Sequence, residues 1–277
     1  MPMNLSNILL QCSAVLYFIS MAGYFCYLFH QKDRIQKIAF GTVVAAVGIH
    51  LVSVIIESSI IRGLPIHNLV QSLSMAALAL GGMFIYVQYR FNLKILGIFA
   101  TGLLSILMLG VVTLPSTPVS PDETYKGFWF FSHIILIFTG EATLGLACGA
   151  GILYLIQEAG IKGKNPGFFF KRLPSLDFLD MVSYTCITTG FALLTFGLVT
   201  GFIFAKSVWG SFWRWDVKEV FSVGAWLVYA ALLHLRLYSG WQGRRSAIMS
   251  IVGFVILAFT FLGVNLFLGG HHQTFTQ

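Results

Sequence analysis

The sequence predicts an all-α, polytopic membrane protein of about eight transmembrane helices with an outward-facing Trp-rich loop, and three observations lead there. Of its 277 residues 57% are hydrophobic and only 10% charged, with mean hydropathy +0.83, a composition unlike that of a water-soluble globule. Apolar stretches of about 20 residues, the helical length that crosses a ~30 Å hydrocarbon core, recur from end to end. Only one linker, Gln157 to Leu179, is long enough to hold more than a turn, so residues 1–277 read as a single transmembrane domain.

Breaking the chain at polar and Gly/Pro clusters places the spans at 7–29, 38–60, 69–89, 95–113, 129–157, 179–204, 218–238 and 246–268. Strands are excluded, because an open sheet in lipid would leave its edge backbone groups unpaired. Met1 to Leu10 has no positive n-region, and no small-residue cleavage site precedes the first basic cluster, so the first span is expected to stay. Gly63 and Pro65 mark the turn that closes the second. The fifth is longer than a span needs, so its start is expected to project beyond the outer interface, or the helix to tilt.

Orientation follows from the cations. Twelve of the 17 Lys and Arg, from Lys32 through Lys94 and Arg172 to Arg245, fall in one set of alternate loops, and five (Arg62, Lys126, Lys206, Arg214, Lys218) in the other. By the positive-inside rule the first set is cytoplasmic and both termini face outward. The formal charge of +7 is spread over these short clusters, which excludes a nucleic-acid-binding surface. Cys12, Cys26, Cys148 and Cys186 lie inside apolar spans with no CxxC or CxxCH, and read as small core residues rather than disulfide, redox or haem-attachment sites.

The densest chemical signal is Trp209-Gly-Ser-Phe-Trp213-Arg-Trp215-Asp216-Val-Lys218-Glu219, between the sixth and seventh spans on the outward side. If helical, it places Trp209, Trp213 and Asp216 on one face at i, i+4 and i+7, with Arg214 and Lys218 pointing away. An interfacial aromatic belt would also collect Trp, but it does not require Asp, Lys and Glu among them. An aromatic shelf flanked by cations suits a planar conjugated ligand bearing carboxylates, and haem is such a ligand.

Histidine supplies the second line. His133, within two turns of the outer end of its helix, and the tail pair His271-His272 share a membrane face with the Trp segment, and two neutral imidazoles on opposite faces of a macrocycle are what bis-His ligation needs. His234 lies sixteen residues beyond Lys218, about 24 Å deeper, and so would serve a second, inner position. His50, at mid-span, is a packed hydrogen-bonded residue or the partner of His234. His30 is expected to cap a helix end, and His67 to be solvent-exposed in the outer loop. Glu141, two turns below His133, is given no role.

These residues carry a family resemblance. The run from Trp209 to Arg236 resembles, in type and spacing, the WWD signature of cytochrome c biogenesis proteins of the CcsA/ResC type (system II), through the loop, the following helix and its terminal His234. His133 matches the first external haem ligand of that family, Val264-Asn265-Leu266 followed by His272 the pattern around the second, and Asn68 to Leu73, more loosely, a segment after the second span. The chain departs from the pattern at Val217, where Pro is usual, at Gln71, where Glu is usual, and at His271-His272-Gln273-Thr274 in place of a single His before Ser-Tyr; spacing from Asn265 favours His272.

The resemblance implies a haem exporter and cytochrome c haem-attachment factor, with haem b as cargo, in a bacterial cytoplasmic (inner) or thylakoid-like membrane. Its implied partners are a CcsB/ResB-type membrane subunit that supplies the ligand opposite His234, the CxxCH segment of apocytochrome c, and a thioredoxin-like thiol reductant. Haem lyase activity would belong to the complex, with no nucleophile from this chain. The implied outer site comprises His133 and His272 or His271 as axial ligands with Trp209, Trp213, Trp215 and Asp216. Two other readings are a HemX-like regulator or scaffold of haem synthesis, and an unrelated transporter whose Trp segment is only an anchor.

Overall fold

The computed structural model describes residues 4–115, 127–163, 167–168 and 171–263. Every regular element among them is a helix: α1 (Leu5–His30), α2 (Asp33–Ile61), α3 (Leu69–Phe91), α4 (Leu96–Thr113), α5 (Phe128–Lys162), α6 (Leu176–Trp209), α7 (Val217–Ser239) and α8 (Arg244–Ala258), the last passing into a π-helical turn at Phe259–Gly263. Eight helices among the described residues are long and apolar enough to cross a membrane. The chain is an integral membrane protein, and each expected span has its helix.

The ends differ for a physical reason. With 35 and 34 residues, α5 and α6 are each about 50 Å long, well beyond a ~30 Å hydrocarbon core. Hydropathy marks only the part of a helix suited to lipid, whereas helical hydrogen bonding runs on into polar ends. The extension of α5 carries Glu158, paired with Lys162 one turn on at 2.7 Å and with Arg244 of α8 at 2.8 Å. The extension of α6 begins at the N-cap Ser175, whose hydroxyl accepts from the Phe178 amide at 3.4 Å. The expected linker from Gln157 to Leu179 is shortened at both ends by these turns.

The chain forms two compact units, the first ending at Lys126 and the second beginning at Gly127. In the first, α1 packs on α2 and α4, and α3 on α4 and α2, around the fully buried Tyr17, Tyr24, Phe84, Leu96, Leu104 and Met108. Lipid tails are as apolar as leucine, so interhelical hydrogen bonds and close packing carry association. Ser20 Oγ accordingly donates to the Ala39 carbonyl at 2.9 Å and Ser53 Oγ to that of Ser6 at 2.7 Å. His50 is fully buried, with Nε2 2.8 Å from Ser74 Oγ and Nδ1 3.4 Å from Tyr17 Oη. At one end Lys94 meets Asp33 at 2.8 Å, and this carboxylate holds the ammonium above the ordinary lysine value.

The start of α3 explains Gln71. Asn68 caps the helix by accepting from the Gln71 amide at 2.9 Å, while Gln71 Oε1 takes the His67 N–H at 2.8 Å and Gln71 Nε2 donates to Glu57 Oε1 at 2.8 Å. A glutamate at 71 would set two carboxylates face to face. Asn68→Ala is expected to lower the melting temperature through a loss of about 1 kcal/mol, read by thermal unfolding in detergent. His67, expected to be exposed, is half-buried by this turn.

In the second unit α5 and α6 form a long pair, α8 packs on α5, and α7 on α8 and α6. The α5–α6 crossing is close because glycines face each other: a Cβ on Gly140 would lie 3.0 Å from the Leu194 nitrogen, and one on Gly190 3.1 Å from the Gly140 carbonyl oxygen. Of the cysteines, Cys148 and Cys186 are buried core residues as expected, but Cys12 and Cys26 sit on the exposed surface of α1, a correction to the reading of all four as core. Helical spacing decides this, since an apolar span facing lipid is as hydrophobic outside as inside. His30 closes α1, its Nδ1 3.0 Å from the Cys26 carbonyl.

Candidate functional site

The Trp-rich segment is not one helix. Helix α6 runs through Trp209 and ends at Gly210, whose φ of 72° is the left-handed C-cap that stops a helix. Residues 211–216 follow without helical structure, and Val217 opens α7. The segment taken as a loop over 209–219 is therefore a loop only over 210–216, and the shared face at i, i+4 and i+7 does not exist. Trp215 has φ 60° and is 78% exposed. Arg214, expected to point away, stands over the Trp209 ring at 5.4 Å, a cation–π contact.

The loop folds back along α6. Trp213 packs on Phe202 at 6.0 Å between ring centroids and edge-on to Trp215 at 5.6 Å. Trp209 meets Phe204 at 6.2 Å, and Phe204 meets Phe130 of α5 at 4.9 Å. Phe130 is three residues before His133, on the same side of α5. The loop and His133 are thus brought to one end of the α5–α6 pair.

His133, partly buried in the second turn of α5, donates from Nδ1 to the Gly197 carbonyl of α6 at 2.7 Å. A Cβ on Gly201 would come within 2.6 Å of the same nitrogen, so the ring lies directly on the α6 backbone. His271, His272 and residues 264–266 lie outside the described residues.

Asp216 is the N-cap of α7, 8% exposed. Three residues on, Glu219 reaches back so that its Oε2 accepts from the Asp216 amide at 3.3 Å and the Arg214 amide at 2.9 Å, the capping-box pattern of an acid at N3. Val217 is then the first helical position. Proline is at home there, since that amide has no helical partner and the ring sets the required φ, so the chain departs from the family pattern at a position where the substitution changes little. Val217→Pro is expected to raise stability by about 0.4–1 kcal/mol, and Glu219→Ala to lower it by about 1 kcal/mol, both measurable as shifts in thermal midpoint.

His234 is exposed on α7, its ring 4.5 Å from that of Tyr238. Two residues on, Arg236 points inward and joins Asp180 of α6 in a fork, Nη1 to Oδ1 at 2.9 Å and Nη2 to Oδ2 at 2.6 Å. Asp180 also accepts the Gly243 amide at 3.0 Å, Arg236 reaches Ser246 Oγ at 3.2 Å, and its guanidinium covers the Tyr184 ring at 4.1 Å. This hub, which holds α6, α7 and the start of α8 beside His234, was not anticipated from the sequence. On the loop side Trp226 stacks on Phe191 at 5.5 Å and donates from Nε1 to Thr195 Oγ1 at 2.9 Å. Both ring nitrogens of His50 are engaged within the first unit. Glu141 forms neither hydrogen bond nor ion pair among the described residues. Among the described residues no group of three or more His, Cys, Asp or Glu side chains is placed to hold a metal ion.

A family model described as Cytochrome C assembly protein matches residues 9–272. Similar curated proteins include the cytochrome c biogenesis protein CcsA of Gloeothece citriformis (strain PCC 7424), 29% identical with 98% of this chain and 97% of that protein covered. That of Guillardia theta is 32% identical over 76% of each chain. That of Parasynechococcus marenigrum (strain WH8102) is 33% identical over 76% of this chain and 77% of the other. Among solved structures, cytochrome c heme lyase CcmF matches with TM-score 0.65 over 95% of this chain at 16% identity. The chain spans about half, 49%, of that protein, and the likeness is one of fold.

Proposed function

The chain belongs to the cytochrome C assembly protein family, and from that premise we propose that it is the haem-presenting subunit of a CcsA-type assembly, working as one membrane domain with a CcsB/ResB-type partner. The observation that carries the reading is the return of the Trp-rich loop along α6. It sets Trp213 on Phe202, the residue next to the Gly201 on which His133 rests.

In this proposal both termini and the loop face outward from a bacterial cytoplasmic or thylakoid-like membrane, as the twelve-to-five division of cations supports. Haem b, the cargo, is held at the outer site by His133 and a tail histidine, His272 by its spacing from Asn265 and otherwise its neighbour His271. Trp213 and Trp215 offer ring faces to the macrocycle, and Trp209 carries the Arg214 guanidinium over its ring, where it offers charge to the propionates. Asp216 acts by starting α7 and holding the loop. His234, exposed on α7, is free to meet iron whose second ligand comes from the partner chain, giving an inner loading position.

Bis-His ligation occupies both axial positions and holds the iron quiet. The histidine of an apocytochrome CxxCH segment then displaces one imidazole, and its thiols, kept reduced by a thioredoxin-like protein, add S–H across the vinyl groups with no leaving group. Positioning supplies the catalysis, so the chain needs no nucleophile.

Purification with the partner subunit from haem-replete cells tests this. The expected preparation is red with a low-spin bis-His absorption spectrum. A colourless preparation would favour the anchor-only reading, and a haem-loaded protein whose deletion leaves cytochrome c fully matured would favour the HemX-like regulator.

A further inference from the structure

The contact between His133 and α6 defines more than a location. A carbonyl oxygen only accepts, so the 2.7 Å contact from His133 Nδ1 to the Gly197 oxygen requires the proton on Nδ1. In a neutral imidazole the other nitrogen then carries the lone pair. Nε2 is therefore the nitrogen left able to ligate a metal. The Thr200 hydroxyl shares its single proton between the Gly197 carbonyl and that of Phe196, each at 2.9 Å.

The ring reaches this oxygen because position 201 has no side chain. A Cβ there would fall 2.6 Å from Nδ1 and 2.7 Å from Cε1 of His133, closer than a Cβ packs against any neighbour, so the ring would have to leave its seat. The other close glycines of α6 face something else: Gly190 meets Leu144 and the Gly140 carbonyl, and Gly197 meets Ile137. Of the three glycines of α6, Gly201 alone has an imidazole as its nearest neighbour.

We propose that Gly201 is a positioning residue that, by letting His133 lie on the Gly197 carbonyl, fixes the tautomer and ring plane that present Nε2 to haem iron, with Thr200 tuning the strength of that hydrogen bond. The inference rests on the haem reading above. Metal-bound histidines commonly donate their second nitrogen to a carbonyl or carboxylate, and loss of that support costs about 10–100-fold in affinity.

The test is haem content and absorption spectrum per protein for the complex purified with its partner subunit, in wild type, His133→Gly, Gly201→Ala, Gly190→Ala and Thr200→Val. Gly201→Ala is expected to lower haem occupancy at the outer site about 10–100-fold and to reproduce the spectral change of His133→Gly. Gly190→Ala, a packing clash against Leu144, is expected to reduce yield while leaving the spectrum of the accumulated protein as in wild type. Thr200→Val removes a competing donor, so the His133 bond to Gly197 strengthens, the imidazole becomes more electron-rich, and the midpoint potential moves down. A wild-type spectrum in Gly201→Ala, or the same spectral loss in Gly190→Ala, overturns the positioning role while leaving the haem reading standing. Should Gly201→Ala fail to accumulate, an unshifted potential in Thr200→Val overturns it. A wild-type spectrum in His133→Gly overturns both.

Discussion

Asp180→Ala is expected to destabilise the second unit by about 3–5 kcal/mol, the cost of stranding a buried charge. Arg236 would be the stranded partner. Its side chain is 9% exposed, and that of Asp180 15%, so water cannot replace the two short forked bonds. The Gly243 amide, which ends the turn into α8, would lose its acceptor in the same change. Asp180→Asn keeps an acceptor for Gly243 and one for the guanidinium, and is expected to cost less. Thermal unfolding of the detergent-purified protein should rank wild type above Asp180→Asn and Asp180→Asn above Asp180→Ala. Equal midpoints for wild type and Asp180→Ala would show the fork to be energetically idle. Because Arg236 follows His234 by two residues on α7, the inner loading position proposed at His234 should loosen together with the fold.

His133→Gly is expected to lower haem occupancy at the outer site by more than about 100-fold, beyond what the loss of a supporting hydrogen bond costs. It removes a ligand rather than its support, and although α5 gains a glycine at about 1 kcal/mol and loses the partly buried ring's bond to the Gly197 carbonyl, the change is confined to the second turn of the helix, so the protein should still accumulate. Added imidazole fits the space the side chain leaves and is expected to restore the low-spin spectrum. Retention of a full spectrum without imidazole would remove His133 from the iron. The same substitution at His50, buried between Tyr17 and Ser74, should act on folding of the first unit and leave the spectrum of surviving protein unchanged.

What the sequence disclosed and what it hid divide along physical lines. The eight spans were legible because lipid demands about 20 apolar residues in a row, and no tertiary contact alters that demand. The ends of α5 and α6 were not, because a helix may continue in water with ion pairs such as Glu158–Lys162 once hydropathy has fallen. The Trp-rich segment was found but misshaped. Gly210, one residue past Trp209, is the standard signal for a left-handed helix stop, and reading it would have cut the supposed face in two. The spacing of Asp216 and Glu219 likewise spells a capping box, where only interleaved charge was read.

The Asp180–Arg236 fork lay beyond reach for a different reason. Its partners are 56 residues apart in sequence, and Arg236 had been read only as an orienting charge. A carboxylate near the start of one span and a guanidinium near the end of the next were the available signal, since antiparallel helices bring such ends together. The seat of His133 on Gly197 and Gly201 was equally hidden, because small residues along α6 mark close packing without naming the neighbour. Exposure of Cys12, Cys26 and His234 could not be read from hydropathy, which has the same value on either side of a helix in lipid.

The most direct measurement of the central claim is covalent haem attachment to a CxxCH reporter cytochrome in cells lacking the native gene, complemented with this chain and its partner subunit. Wild type is expected to restore haem-stained reporter; His133→Gly is expected to give almost none until imidazole is supplied. Reporter that carries its full complement of haem in the complete absence of this chain would contradict the account.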